Sequence, residues 1–132
     1  YNFDGCRILL AEDNELNAEI LIALLELEGA ECTVYGNGQL IAEAFEMVAP
    51  GEYDAILMDV QMPVMNGYEA TEQIRNSKNP LGRTIPIIAM TANAFQEDRE
   101  RSVQAGMNAH ISKPIDMKVL QNVMNKVKNG EY

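Results

Sequence analysis

The stretch Asp54-Ala55-Ile56-Leu57-Met58-Asp59, continuing through Val60-Gln61-Met62-Pro63 to Asn66-Gly67, decides the fold. Ala55 to Met58 are four apolar residues in succession, too few for a helix and bounded by turn formers. That is the pattern of a strand buried in a parallel sheet. The strand delivers a carboxylate, Asp59, at its carboxyl end, and Pro63 and Asn66-Gly67 then force a tight loop before the next helix. Open α/β sheets place their chemistry in the crevice outside the carboxyl ends of their strands. Asp59 is therefore the candidate reactive residue.

Outward from this strand, the chain alternates strand and helix signals five times. Toward the N-terminus lie an apolar strand over 6–11 (CRILLA) ending at Glu12-Asp13-Asn14, and a helix over 15–28 with Asn14 or Asp13 as N-cap and Gly29 as its stop. A second strand over 32–35 closes at Gly36-Asn37-Gly38, and a helix over 39–48 breaks at Pro50-Gly51. Toward the C-terminus come a helix over 68–76, a polar loop over 77–83 and a strand over 85–90 (IPIIAM) ending at Thr91-Ala92-Asn93. A weak, mostly charged helix over 95–105 stops at Gly106, and a short strand over 108–111 leads into Ser112-Lys113-Pro114. The last helix, 116–128, is expected to bury Val119, Leu120, Val123 and Val127. Such alternation predicts a parallel sheet covered by helices on both faces, with right-handed crossovers.

The 132 residues suffice for one domain with a full core. A formal net charge of −10 argues against a nucleic-acid or anionic-membrane surface and suits a bound divalent cation or a basic partner. No apolar run reaches membrane-spanning length, and there is no signal-peptide pattern. Cys6 and Cys32 match no metal-ligand spacing and read as reduced packing residues rather than a disulfide, which places the protein in the cytoplasm.

In a parallel sheet all carboxyl ends share one edge. Four of the five strands end there in chemical groups: Glu12 and Asp13, Asp59, Thr91, and Lys113. If the first and third strands are neighbours at the topological switch point, three carboxylates meet, repel and couple their titrations. A hard divalent cation relieves that repulsion, and Mg²⁺ suits carboxylates together with waters and a phosphate oxygen. Lys113 adds a fixed positive charge and Thr91 a hydroxyl donor. These are the parts for moving a phosphoryl group, with Asp59 as nucleophile and an aspartyl phosphate as product.

Glu12-Asp13, Asp59, Thr91-Ala92 and Lys113-Pro114, in this order at these strand ends, resemble the receiver domain of two-component response regulators over essentially the whole chain. The wording LLAEDNELN, LMDVQMPVMNGYEAT, IIAMTANA and MNAHISKPID is most similar to receivers within hybrid sensor histidine kinases. The resemblance implies a flavodoxin-like (βα)5 fold with strand order 2-1-3-4-5, and residues 1–132 as a single receiver domain excised from a longer hybrid kinase. It implies that Asp59 accepts phosphate from a phosphohistidine. Asp13, Asp59 and the backbone carbonyl of Gln61 are implied to ligate Mg²⁺, with Glu12 acting mainly through water. Thr91 and Lys113 would bind the phosphoryl oxygens, small Ala92 would keep the pocket open, and Lys113–Pro114 would be cis. Gln61 and Asn93 would flank the pocket. His110 stands where the switch aromatic is usually Tyr or Phe, so the switch pair Thr91–His110 works through an imidazole if it works at all. Implied partners are the helical bundle of a histidine kinase or a histidine phosphotransfer domain, with no nucleic acid and no direct membrane contact.

In the first helix Leu16, Ile20, Ala23, Leu24 and Leu27 read as the inner stripe. Ala18, Leu21, Ile22 and Leu25 then fall on the outer side, either as the margin of a wide core stripe or as a docking patch for a helical partner. Three other functions fit less well. A haloacid-dehalogenase-type hydrolase needs a second Asp where Gln61 stands, and a flavin phosphate binder needs a phosphate loop where Glu12-Asp13 stands. A receiver-like scaffold without phosphorylation conflicts with the intact residue set.

Overall fold

The computed structural model describes residues 3–92 and 96–130. Five strands, β1 (Arg7–Ala11), β2 (Glu31–Tyr35), β3 (Ala55–Asp59), β4 (Ile87–Thr91) and β5 (Ala109–Ser112), alternate with five helices. The helices are α1 (Glu15–Leu27), α2 (Gly38–Phe45), α3 (Gly67–Arg75), α4 (Gln96–Ala105) and α5 (Met117–Lys128), and a 3₁₀ turn covers Pro80–Arg83 within the polar loop. The strands form one parallel sheet in the order β2-β1-β3-β4-β5, as expected. The expected start of the fourth helix at Phe95 lies outside the described residues.

Alternation along the strands sorts the core into two layers. Ile8, Leu10, Leu57, Ile88 and Ile111 face α1 and α5. Leu9, Ala11, Ile56, Met58, Ile87 and Ala89 face α2 and α3, where Ile41, Phe45 and Ile74 complete the layer. β3 and β4 are buried along their whole length, which is why their sequences are unbroken apolar runs. The helix starts are set by caps. Asn14 accepts from the Asn17 N–H at 3.0 Å, and Asn66 and Glu69 form a reciprocal capping box.

Arg75, in the last turn of α3, joins three loops. Its guanidinium donates to the carbonyls of Gly82, Ile85 and Gly106 and to Asn108 Oδ1, and burial lowers its pKa. Asn108 Oδ1 also accepts from the Ile87 N–H, so this network fixes the loop after α4 to the start of β4. Cys6 is buried just ahead of β1 and Cys32 is half-buried on β2; neither forms a disulfide. Burial first, then the Glu26 charge, push the Cys32 thiol up to about 11, which leaves it unreactive. Among the described residues no helix is long and apolar enough to cross a membrane.

Two helix faces differ from the sequence reading. On α1 it is Ala18, Leu21 and Leu25 that are buried, with Ile22 packed against the same layer. Leu16, Ile20 and Leu27 are exposed, at 64, 52 and 84%. The expected inner and outer stripes are therefore exchanged, and Ala18, Leu21, Ile22 and Leu25 are not a docking patch. Apolar residues nearly encircle this helix, so periodicity supplies two stripes and little to rank them. The chain leaving α1 does rank them, because the Ala30 N–H bonds back to the Leu25 carbonyl and Ala30 enters the same buried layer. On α5, Val119 is exposed and Met124 buried in its place, beside Leu120 and Val123.

The exchange has a direct check in urea unfolding. Leu25→Ala should lose about 2–5 kcal/mol, and Leu27→Ala should stay within about 0.5 kcal/mol of the parent.

Candidate functional site

The carboxyl ends of β1, β3, β4 and β5 open onto one crevice of about 270 Å³, lined by Glu12, Asp13, Asp59, Gln61, Thr91, Ala92 and Lys113. Parallel pairing of β1 with β3, Ala11 opposite Met58, puts the acidic pair next to Asp59. Glu12 and Asp59 are buried while Asp13 is exposed, and each offers a carboxylate oxygen within 4.8 Å of the others. Lys113 reaches across from the end of β5. Its Nζ lies 2.9 Å from Glu12 Oε2 and 3.1 Å from Asp59 Oδ1. The Lys113–Pro114 bond is cis, as expected. Asn93, which the sequence reading also set beside the pocket, lies outside the described residues.

Among the described residues the two buried acids share the Lys113 ammonium, with the exposed Asp13 beside them, and the protonation of Asp59 reflects that shortage of positive charge. Burial, then the Glu12 charge, push Asp59 from its ordinary 3.8 up to about 6; the Lys113 hydrogen bond and charge pull only part of the way back. Burial alone would lower the Lys113 pKa, but its hydrogen bonds to Glu12 and Asp59 outweigh burial and raise it. Lys113 is therefore cationic throughout the neutral range. The donor set is three carboxylates, all hard oxygen ligands with one side open, and it fits a divalent cation such as Mg²⁺.

Gly67 matters through close approach rather than through a special dihedral. Its N–H donates to the Val60 carbonyl at 2.9 Å, and a Cβ there would run into the Asp59 carbonyl oxygen. The loop after Asp59 is thus folded back on the strand that carries this carboxylate. The same loop holds Val64 at φ +68°, a backbone conformation that β-branched residues rarely adopt.

His110 is not in the crevice. It sits half-buried on β5 opposite Ala89. Burial, then the Arg99 charge, lower its pKa, so the imidazole is neutral at pH 7. Two groups at the crevice escaped the sequence reading. Asn14 and Asn17 also line it, and their spacing of three on a helix start was the available signal. The exposed α1 face was missed because its stripe was assigned to the core. Leu24 and Ile20 on that face, with Pro114 and Ile115, line a groove of about 360 Å³ beside Lys113.

A five-stranded parallel sheet carrying an acid triad, a hydroxyl and a lysine at one edge defines a flavodoxin-like α/β protein with an acidic crevice that fits a divalent cation. The comparisons with known proteins make the assignment specific. The chain belongs to the response regulator receiver domain family, whose model matches residues 8–125. The chain is 37% identical to hybrid signal transduction histidine kinase I of Dictyostelium discoideum over 90% of its length. It is 33% identical to sensor histidine kinase RcsC of Escherichia coli over 92%. It spans only 7% and 12% of those two proteins. Among solved structures, the receiver domain of sensor histidine kinase PA1611 from Pseudomonas aeruginosa is 43% identical, with a TM-score of 0.81 over 92% of this chain and 96% of that one. That structure holds a magnesium ion in its active-site cleft. The Saccharomyces cerevisiae Ssk1 receiver, co-crystallised with the histidine phosphotransfer protein Ypd1, is 28% identical with a TM-score of 0.80, covering 94% and 89%.

The raised Asp59 pKa makes a signed prediction for the metal-free chain. Between about pH 4 and pH 6 the folded chain keeps a proton at Asp59 that the unfolded chain has released. Stability therefore falls as pH rises through that window. In chelator, Asp59→Asn should raise stability at pH 7 by about 1–3 kcal/mol. That advantage should vanish by about pH 4 in denaturant titrations.

Proposed function

We propose that this chain is the phosphoryl-accepting module of a two-component phosphorelay, with Asp59 as the acceptor and Mg²⁺ as its cofactor. The observation that carries this reading is Lys113 Nζ bridging Glu12 and Asp59, at 2.9 and 3.1 Å, beside Asp13. An Asp59 oxygen attacks the phosphorus of a phosphohistidine, the P–N bond breaks, and its electron pair leaves on the imidazole nitrogen. The product is an acyl phosphate on Asp59. Asp13, Asp59 and the Gln61 carbonyl would hold Mg²⁺, with Glu12 acting through water, and the ion would neutralise the gathered negative charge. Lys113 exchanges its Asp59 contact for a phosphoryl oxygen, Thr91 donates its hydroxyl to another, and the small side chain of Ala92 leaves room for both. Thr91 and His110 form the switch pair, with a neutral imidazole in the aromatic position.

The parent is a hybrid histidine kinase, a reading supported by the hybrid and sensor kinases among its relatives, and the domain works in the cytoplasm. The donor is the helical bundle of a kinase or a phosphotransfer domain. It docks on the exposed α1 face, Leu16, Ile20, Leu24 and Leu27, rather than on the opposite face. Ile20 and Leu24 of that face, with the edge of the buried Leu21, line the apolar groove beside Lys113, so a helix seated there carries its histidine to the crevice.

Incubation with Mg²⁺ and acetyl phosphate should add one phosphoryl group by intact mass, and Lys113→Ala should slow that gain at least about tenfold. Polar replacement of Leu16 and Ile20 should slow transfer from a phosphorylated histidine phosphotransfer protein and leave the acetyl phosphate rate unchanged. Equal slowing with both donors would contradict the docking surface.

A further inference from the structure

The loop that follows Asp59 is anchored at both ends. Val60 N–H donates to the Met90 carbonyl on β4, and Gly67 N–H at the start of α3 donates back to the Val60 carbonyl. Between these anchors Met65 N–H donates to the Pro63 carbonyl at 2.7 Å, with Val64 at φ +68° in the middle. A bond from one residue to the second before it, around a positive φ, is the rare and strained form of the γ-turn. For a β-branched residue that backbone is an outlier, and it persists only where the surroundings hold it. The Val64 side chain supplies no such hold, being 75% exposed.

The hold comes from α2. Gly38, its first residue, donates its N–H to the Met65 carbonyl at 3.0 Å, and the Met65 side chain packs at the margin of the α2–α3 layer. Among the described residues this is the one hydrogen bond that joins 61–66 to an element other than α3. A Cβ at Gly38 would run into the Met65 carbonyl oxygen and come within 2.9 Å of the Asn66 carbonyl oxygen, so the two backbones meet only because Gly38 has none. Asn37 caps α2 by accepting from the Leu40 N–H at 2.9 Å, which fixes where Gly38 stands. Gln61, earlier in the same loop, lines the crevice with Glu12, Asp13 and Asp59. A loop this short has few soft dihedrals left once its ends are anchored, so the conformation at Val64 governs where the carbonyls before it lie.

We propose that Gly38 is a positioning residue for the cation site: its bond to Met65 locks the γ-turn at Val64, and the locked loop holds the Gln61 carbonyl in place as a ligand. This rests on the metal reading above. Mg²⁺ demands near-ideal octahedral geometry at short distances, whereas Ca²⁺ accepts longer and more irregular ligand sets. A displaced carbonyl therefore weakens Mg²⁺ binding more than Ca²⁺ binding, while a lost carboxylate weakens both.

Calorimetric titration of the chain with each ion tests this. Gly38→Ala and Val64→Pro disturb the loop from two different elements, since proline cannot take a positive φ. Each should weaken Mg²⁺ binding about tenfold and Ca²⁺ binding less than about threefold, and the double variant should bind no more weakly than the worse single one. Gly51→Ala, at φ +78° with open space where its Cβ would stand, should lower the unfolding midpoint and leave both affinities within about twofold. Val64→Pro alone decides the outcome if Gly38→Ala does not fold. Parental Mg²⁺ affinity in either loop variant, equal losses for the two ions, or the same loss in Gly51→Ala would each overturn the proposal. A parent chain that does not bind Mg²⁺ would instead overturn the metal reading, and this proposal with it.

Discussion

One ammonium among three carboxylates is the constraint from which the rest of this site follows. Parallel pairing of β1 with β3 brings Glu12 and Asp13 beside Asp59, and β5 sends Lys113 into the gap between the buried pair. The crevice is left with an excess of negative charge that burial cannot dilute, which is why Asp59 holds a proton up to about pH 6. A site short of positive charge is poised to take up a cation. Once the cation is in place, it is equally poised to accept an incoming group whose oxygens need the same neutralisation.

The sheet sets this constraint, and the loops keep it in position. Close approach of Gly67 to the Asp59 carbonyl folds the following loop back on β3. The Asn66–Glu69 capping box starts α3 at once after that loop. Behind the site, Arg75 fastens the far end of α4 and the entry to β4 and β5. The fold is thus firmly held beneath Asp59.

The sheet and its reactive edge were legible in the sequence because they depend on signals with one reading. A short apolar run between turn formers, as at Ala55 to Met58, has few alternatives to a buried strand. Three such runs, with two mixed strands at the flanks and helices between, dictate where the strand ends collect. The faces of α1 were not legible, since Leu16, Ile20, Leu24 and Leu27 repeat at helical spacing as well as Ala18, Leu21, Ile22 and Leu25 do. Only the path of the chain through Ala30 decides which set meets the sheet. Val119 and Met124 in α5 traded places for a similar reason, because both are apolar and sit near opposite margins of one stripe. The Tyr68 hydroxyl, sealed without a hydrogen-bond partner among the described residues, had no sequence signal at all. Nothing local to Tyr68 records that Arg101 of α4 covers its ring.

Peptide mapping of the chain after exposure to Mg²⁺ and acetyl phosphate, with and without hydroxylamine treatment, tests the central claim most directly. The account predicts one phosphoryl group on the peptide carrying Asp59, with the lability of an acyl phosphate, released by hydroxylamine and absent from Asp59→Asn. A hydroxylamine-stable phosphate on any other residue, or the same modification persisting in Asp59→Asn, would contradict it.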